Sequence, residues 1–241
     1  MRASVCLIVP CFNEAGRLDF DRFDDAPAGV TCLLVDDGSS DGTGALARHH
    51  ESETFRVLEL PVNVGKGEAV RRGVLHARDS GLLEQADWFG YWDADLSTPL
   101  SEVERFLAYA AFADGPVDGI LGSRVRRLGS TIVRSSRRHL LGRVFATLAE
   151  ALLRLECYDS QCGAKLFRSS LAVQAFGEPF ISRWIFDVEI LLRLRSQRLI
   201  EYPLGQWIDV GGGTLRPWAV VVPTLIDLLR IRRRYAPRRQ A

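Results

Sequence analysis

The chain has 241 residues, of which 47% are hydrophobic and 25% charged, and its formal net charge is +1. These values are typical of a globular protein, the length suits one large α/β domain or two small ones, and we expect no nucleic-acid partner. The five cysteines are scattered, with no Cys-x-x-Cys pair and no histidine at zinc spacing. We therefore expect reduced thiols in a cytoplasmic protein, without a disulfide or a structural metal site.

Neither apolar stretch of the chain is long enough for a membrane span. The run from Val5 to Pro10 is too short for a signal peptide. The stretch from Trp218 to Leu229 contains a proline and an aspartate and falls short of the roughly 20 residues that a bilayer requires. We expect a chain that does not span a membrane, which leaves contact with a membrane surface open.

The first half of the chain predicts alternating strands and helices. Short apolar runs predict buried strands at 4–10, 31–37, 55–60, 88–95 and 118–124. Helical patterns follow, and Ser40 or Asp41 and then Ser101 are suitable N-cap residues for two of them. This alternation predicts a parallel, doubly wound sheet flanked by helices.

The second half has a different pattern. It predicts an amphipathic helix at about 139–155, a short strand at 164–167, a helix at about 187–197, and strands near 199–204 and 206–210. No repeat, low-complexity tract or linker separates the halves. We predict a single domain over 1–241, with a specialised second half at 125–235 and a basic tail at 236–241.

Polar residues follow each of the five strands predicted in the first half. In open α/β sheets, ligands bind beyond the carboxyl ends of the strands. One such cluster alone would be an ordinary turn, but five at one edge indicate a binding site. The clusters are PCFNE (10–14), VDDGSSDGT (35–43), NVGKGEA (63–69), WDADLSTP (92–99) and GSR (122–124).

Asp93 and Asp95 are the residues of this edge whose chemistry is clearest. Side chains at i and i+2 of a strand point the same way, so a following turn can bring both carboxylates towards one hard cation. Mg²⁺ or Mn²⁺, which binds few protein oxygens together with a substrate diphosphate, is the expected cofactor. The alternative is that one aspartate caps the next helix and the other is solvated. Asp36 and Asp37 are adjacent, so at most one of them would join this metal.

The motifs resemble those of a known family. In their order and spacing, the five clusters are similar to the nucleotide-sugar half of inverting GT-A glycosyltransferases. Three later segments, DSQCGAKLF (159–167), WIFDVEILLR (184–193) and Trp207 to Pro217, resemble dolichyl-phosphate β-glucosyltransferases and other polyprenyl-phosphate sugar synthases. The resemblance covers nearly the whole chain up to about Tyr235. Ala164, where the family usually has an aromatic residue, is a departure that bears on local packing.

The resemblance implies a fold and a division of the chain. The fold is a GT-A, Rossmann-like, mostly parallel central sheet flanked by helices, with amphipathic helices in the C-terminal half. Residues 1–124 would bind the nucleotide sugar, and residues 125–235 would bind the acceptor.

The resemblance also implies a role for each site residue. The nucleotide sugar would be bound by Pro10, Asn13, Glu14, Asp37, Asn63, Lys66, Asp93, Ala94 and Asp95, with Asp93 and Asp95 at the metal. The acceptor phosphate would be bound by Arg124, Arg134, Arg137 and Lys165. The catalytic carboxylates would be Asp187, Asp159 and Asp95.

Two features of the basic residues bear on these roles. The chain has 29 arginines and only two lysines, Lys66 and Lys165, which both lie inside motifs. Keeping a compact ammonium there indicates sites where the planar guanidinium does not fit, and chance is the alternative.

A basic block lies beside the predicted helix at 139–155. No Asp or Glu occurs from Gly119 to Ala149, whereas seven arginines do. Together with the apolar side of that helix, the block would suit a phosphate on a lipid chain at an anionic surface. The alternatives are a solvated basic face and, for the helix, ordinary core packing.

The implied function is transfer of a hexose, with glucose from UDP-glucose favoured, to a polyprenyl or dolichyl phosphate at the cytosolic membrane face, by a peripheral protein. The alternatives are a GDP-mannose donor, a soluble hydroxyl acceptor, and a nucleotide-sugar-binding module without turnover.

A phosphate monoester has a second pKa near ~6, so a phosphate acceptor needs no strong base. We expect Asp187 to orient the sugar or the acceptor, and the glycine loop from Val210 to Thr214 to be a mobile flap.

Overall fold

The computed structural model describes residues 3–133, 147, 149, 151–210 and 217–235, and for 217–222 the backbone alone. Several predictions concern residues outside this part of the chain. They are Arg134, Arg137, the loop after Val210, the tail at 236–241 and most of the helix predicted at about 139–155.

A seven-stranded sheet with strand order β3-β2-β1-β4-β7-β5-β8 forms the centre of the fold. Its strands are β1 (Val5–Cys11), β2 (Val30–Asp36), β3 (Phe55–Glu59), β4 (Trp88–Trp92), β5 (Gly119–Ser123), β7 (Ala164–Arg168) and β8 (Leu199–Pro203). The remaining two, β6 (Thr131–Val133) and β9 (Gln206–Ile208), pair in parallel as a separate ribbon.

The predicted mostly parallel sheet is confirmed, and one of its strands runs antiparallel to its neighbours. The strand β7 lies between β4 and β5 and is antiparallel to both, whereas the other pairs in the sheet are parallel. Gly90 of β4 makes this insertion possible, because a Cβ there would lie 1.9 Å from the carbonyl oxygen of Lys165. The carboxyl ends of β1, β2, β3, β4 and β5 still share one edge, as the sequence predicted.

Helices cover both faces of the sheet. In the described part of the chain they are α1 (Asp21–Asp24), α2 (Thr43–His49), α3 (Lys66–Asp79), α4 (Glu102–Ala111), a 3₁₀ turn (Ser169–Leu171), α5 (Ala172–Phe176), α6 (Phe186–Arg193) and α7 (Pro217–Tyr235). Residues 151–153 are helical as well.

The two predicted helix starts differ in their capping. The N-cap residue of α2 is Gly42, not Ser40 or Asp41, although the Asp41 carboxylate accepts a hydrogen bond of 3.0 Å from the Thr43 amide. Helix α4 does begin after Ser101, whose side chain makes no capping hydrogen bond.

Alternation along β1 explains why the core has two sides. Cys6 and Ile8 lie in the cluster that packs against α3, α5, α6 and α7. Val5, Leu7 and Val9 lie in the cluster that packs against α4 and the β6–β9 ribbon. Because both faces of the sheet are covered, its strands are continuous apolar runs.

Helix α7 is the longest helix of the described residues, with 19 residues. The helix is continuous, but Pro223 and charged residues interrupt its apolar sequence. None of the helices that the structure describes is long and apolar enough to cross a bilayer.

Candidate active site

The loops after β1, β2 and β3 are joined by side chains predicted to bind the nucleotide. The Asp37 carboxylate accepts hydrogen bonds from the amides of Val64 (2.7 Å) and Gly65 (2.8 Å), and thus joins the end of β2 to the start of α3. Burial raises the pKa of Asp37, and the two amides oppose this rise. Gly38 has φ +69°, and a Cβ there would lie 2.6 Å from the Val62 backbone, so this crossing needs glycine.

Asn13 and Glu14 join the loop after β1 to the loop after β2. Asn13 has φ +53°. Its backbone N–H donates to Ser39 Oγ (2.8 Å), and its side-chain Oδ1 accepts from the backbone N–H of Ser40 (3.0 Å). The Glu14 carboxylate is held by both nitrogens of the Arg17 fork. Pro10 lies half-buried near the end of β1. These residues therefore shape the rim of the site.

The loop after β4 positions the two predicted metal ligands. The Asp93 amide donates to the Gly163 carbonyl (2.9 Å), and Asp95 Oδ1 accepts from the Ser97 amide (2.9 Å). Between the aspartates, Ala94 is buried. Burial raises the pKa of Asp95, and the negative charge of Asp93 raises it further.

Lys66 places a positive charge beside these carboxylates. Its Nζ is 2.5 Å from Asp93 Oδ1, and it is the first residue of α3. Burial lowers the pKa of Lys66, but the charges of Asp93, Asp187 and Asp95 outweigh burial, and the pKa is raised. The ammonium therefore compensates the Asp93 carboxylate, with which it is in direct contact.

Asn63 lies on the loop that leads to Lys66 and contacts Arg183. Its Oδ1 accepts a hydrogen bond of 2.9 Å from Arg183, and a Cβ on the intervening Gly65 would lie 2.6 Å from the Arg183 guanidinium. Arg183, which the sequence analysis missed, therefore packs over the loop that carries Lys66. Its position directly before the segment WIFDVEILLR (184–193), four residues from Asp187, was the signal that could have indicated it.

Asp187 is fixed from two sides in the interior. Its Oδ1 accepts from Lys165 Nζ (2.6 Å) and from the Tyr91 hydroxyl. The Lys165 side chain is 0% exposed, and its Nζ also donates to the Cys162 carbonyl (2.5 Å). Burial and the adjacent Asp187 raise the pKa of Tyr91 well above its usual value.

The structure therefore assigns Lys165 a position other than the one predicted for it. As a ligand of the acceptor phosphate it would need an ammonium that reaches the site surface. The ammonium instead lies in the protein interior, because β7 is a central strand between β4 and β5. It is paired there with Asp187. Its contact with the other predicted site residues is through Asp187.

Asp159 and Arg124, predicted in separate roles, form one ion pair. Arg124 donates to Asp159 through Nε (2.7 Å) and a terminal nitrogen (2.8 Å), and its guanidinium carbon lies 5.4 Å from the Trp207 ring centroid. Glu201 fixes the loop by accepting from the amides of Tyr158 and Asp159. Although burial opposes it, Arg124 lowers the pKa of Asp159. Asp159 is thus an ionised partner of Arg124.

Gly163 connects the two halves of the site. A Cβ at this position would lie 1.8 Å from Asp93 Oδ2, so the carboxylate occupies space that only glycine leaves open. The sequence motif contained Gly163, but no local pattern indicated that it faces Asp93.

The donor set fits a hard divalent cation. No group of three or more His, Cys, Asp or Glu side chains suited to a metal occurs among the residues described. Two carboxylates on one loop, Asp93 and Asp95, are nevertheless enough for Mg²⁺ or Mn²⁺, which take their remaining ligands from water and substrate phosphates. An ammonium 2.5 Å from Asp93 shows that the space favours a cation.

Comparisons with known proteins find both similar sequences and similar folds. The family described as Glycosyl transferase family 2 matches residues 6–174. A protein of Dictyostelium discoideum named dolichyl-phosphate beta-glucosyltransferase is 32% identical over 251 residues, which is 95% of this chain and 74% of that protein. Proteins of the same name from Drosophila melanogaster and Homo sapiens are 33% and 31% identical, over 95% of this chain and 74% and 75% of their own.

Among solved structures, glucosyl-3-phosphoglycerate synthase from Mycobacterium tuberculosis, in complex with Mn²⁺, UDP and glucosyl-3-phosphoglycerate, has a TM-score of 0.69. It is 18% identical, and the match covers 98% of this chain and 82% of that one. Mannosyl-3-phosphoglycerate synthase from Rubrobacter xylanophilus has a TM-score of 0.67 at 18% identity, over 99% and 77%. The GT-A fold is confirmed.

Proposed function

The chain belongs to glycosyl transferase family 2, and we propose that it transfers glucose from UDP-glucose to a polyprenyl phosphate, such as dolichyl phosphate, with inversion at the sugar. The observation that carries this proposal is the ion pair of Lys66 with Asp93, two residues before Asp95, at the carboxyl edge of the sheet. The names of its relatives favour glucose as the sugar and a lipid phosphate as the acceptor. The site would face the cytosolic side of the membrane, with the protein bound peripherally.

Asp93, Asp95 and Lys66 would bind the diphosphate of the donor. Asp93 and Asp95 would hold Mg²⁺ or Mn²⁺, which when bound stabilises the negative charge that develops on the leaving diphosphate. Lys66 lies at the start of α3, where the positive end of the helix also favours a phosphate. Its ammonium would donate to a diphosphate oxygen as well as to Asp93.

The residues of the rim would bind the uridine. Pro10, Asn13, Glu14 and Asp37 lie on the joined loops after β1 and β2, and Asn63 lies on the loop before α3. Since the side chains of Asn13, Asp37 and Asn63 already join these loops, they would act by holding the backbone that lines the nucleoside pocket. Ala94 would leave room for the sugar.

A phosphate acceptor is consistent with the pairing of the two predicted catalytic carboxylates Asp187 and Asp159, each of which is held by a basic side chain. The dianionic phosphate is already deprotonated near neutral pH, so positioning and charge stabilisation are sufficient. Asp187, which receives hydrogen bonds from Lys165 and Tyr91, would orient a hydroxyl of the sugar. Arg124, ordered by Asp159, would bind the acceptor phosphate together with Arg134 and Arg137.

Transfer of labelled sugar tests the proposal. UDP-glucose and GDP-mannose would be supplied in parallel with a detergent-solubilised polyprenyl phosphate and Mg²⁺ or Mn²⁺, and Asp95→Asn is the control variant. A lipid-soluble product formed from UDP-glucose, and lost in the variant and after chelation, is expected. Product from GDP-mannose alone would contradict the donor, and transfer only to soluble hydroxyl compounds would contradict the acceptor.

A further inference from the structure

An exposed apolar tip lies close to the active-site edge. Residues Arg127 to Ser130 form a tight turn in which the Ser130 amide donates to the Arg127 carbonyl (3.1 Å) and Gly129 has φ +80°. The turn is fixed to the body of the protein, because Arg127 donates to the Pro203 carbonyl (3.0 Å). Leu128, at its tip, is 101% exposed. An ordered turn that presents a whole leucine to solvent has no folding benefit from that side chain.

The ribbon that follows the turn extends the apolar surface. Val133 of β6 pairs with Ile208 of β9, and both side chains are exposed, as is Val210 just beyond. The opposite face of the ribbon carries Ile132 and Trp207, which pack against the core. The ribbon thus has one buried face, and its outer face carries the apolar pair Val133 and Ile208 beside the polar pair Thr131 and Gln206. Exposed apolar residues of this kind, rimmed by polar ones, are typical of an interaction surface.

Positive charge lies beside this surface. Arg126 and Arg127 directly precede Leu128 and are exposed, within the stretch from Gly119 to Ala149 that has no Asp or Glu. Asp209, the acidic residue just after β9, is half-buried and makes a contact within the protein. Apolar residues next to arginines match a surface that is negative outside and apolar beneath.

The surface borders the active site. The Ile208 amide donates to the Ser97 carbonyl (2.9 Å), on the loop that carries Asp95, and Trp207 lies against Arg124. A partner bound to the ribbon would therefore lie next to the proposed acceptor phosphate.

We propose that the Leu128 turn and the outer face of the β6–β9 ribbon dock on an anionic lipid bilayer, with Leu128 inserted among the acyl chains and Arg126 and Arg127 at the headgroups. This rests on the proposed function in one respect, since docking there presents the site to a phosphate carried by a membrane lipid. Binding to lipid does not itself require turnover.

Vesicle flotation tests this surface. The full chain and its variants would be mixed with vesicles of phosphatidylcholine alone and of phosphatidylcholine with phosphatidylglycerol. We expect binding to the anionic vesicles, weakened about tenfold in Leu128→Ser by loss of one buried leucine and about fivefold in Arg126→Gln by loss of one charge. Wild-type protein that does not bind anionic vesicles, or Leu128→Ser that binds as well as wild type, would overturn the proposal.

Phe112→Ser provides the matched control. Phe112 is 89% exposed and follows α4, which starts at the active-site edge and so ends at the opposite edge of the sheet. This variant should bind vesicles like the wild type. If it lost as much vesicle binding as Leu128→Ser, any exposed apolar residue would contribute equally, and the proposed surface would be overturned. Loss in Leu229→Ser, on α7, with none in Leu128→Ser would assign docking to that helix and would also overturn the proposal.

An activity measurement separates this proposal from the proposed function. Leu128→Ser should match the wild type on a short, water-soluble polyprenyl phosphate and be slower on a long-chain acceptor in vesicles. Equal rates on the vesicle acceptor would count against docking. If the wild type transfers sugar to neither acceptor, the proposed function fails, and flotation of Leu128→Ser still decides the docking surface.

Discussion

Replacing Lys165 with methionine should destabilise the protein strongly. The change removes an ammonium whose Nζ lies 2.6 Å from Asp187 Oδ1, 2.5 Å from the Cys162 carbonyl and 5.1 Å from the centroid of the Tyr91 ring. Asp187 would keep the Tyr91 hydroxyl but lose its paired cation in a place where Lys165 is 0% exposed. Leaving one partner of a buried pair uncompensated costs about 3–5 kcal/mol of unfolding free energy.

The chain's other lysine is the control for this prediction. The side chains of Lys66 and Asp93 are 37% and 35% exposed, so their pair contributes only about 0–1 kcal/mol. Urea unfolding of wild type, Lys165→Met and Lys66→Met would give the two differences. The double variant Lys165→Met with Asp187→Leu should recover at least about 2 kcal/mol relative to the sum of its single variants, because an apolar pair can replace a buried ion pair. A loss below about 1 kcal/mol in Lys165→Met would refute the buried pair.

Three further outcomes follow from the site. Lys66→Met should weaken UDP binding in the presence of Mn²⁺ about tenfold or more by calorimetry, because a charge-assisted hydrogen bond is lost; unchanged affinity would count against the diphosphate role. Gly163→Ala should lose about 1–3 kcal/mol of stability, because its Cβ would lie 1.8 Å from Asp93 Oδ2, whereas Gly16→Ala, with nothing within 4 Å, should not; urea unfolding compares them. The arginine partner of Asp159 lowers the pKa of this carboxyl below 3.8, so the pair stabilises the fold above that pH, and the stabilisation is lost as the pH falls. The difference in unfolding free energy between wild type and Asp159→Asn should therefore narrow in acid, and a constant difference would contradict the pairing.

The sequence predicted the edge of the sheet more completely than its interior. Buried strands are continuous apolar runs, so β1 to β5 were found to within a few residues, and the rule for parallel sheets placed Asp93 and Lys66 at one edge. Strand order is not encoded in local periodicity. The strand at 164–167 was predicted, but its antiparallel place between β4 and β5 was not, and the burial of Lys165 was missed with it.

Pairing between predicted site residues was also beyond the sequence. Asp159 and Arg124 were each identified by motif, yet their bidentate ion pair depends on a loop and a strand end that are 35 residues apart. Tyr91 was predicted only as an apolar residue of a strand. Its hydroxyl in fact donates a hydrogen bond to Asp187, which lies 96 residues further along the chain. The scarcity of lysine was the signal that indicated special positions for Lys66 and Lys165.

The central claim is that glucose is transferred to a lipid phosphate with inversion. Proton and phosphorus NMR of the product formed from UDP-glucose, Mn²⁺ and a polyprenyl phosphate tests it most directly. A single glucosyl phosphodiester with the β-anomeric configuration, from a donor that is α, is the expected result. An α-linked product, or glucose attached to a hydroxyl group with the lipid phosphate unchanged, would contradict the claim.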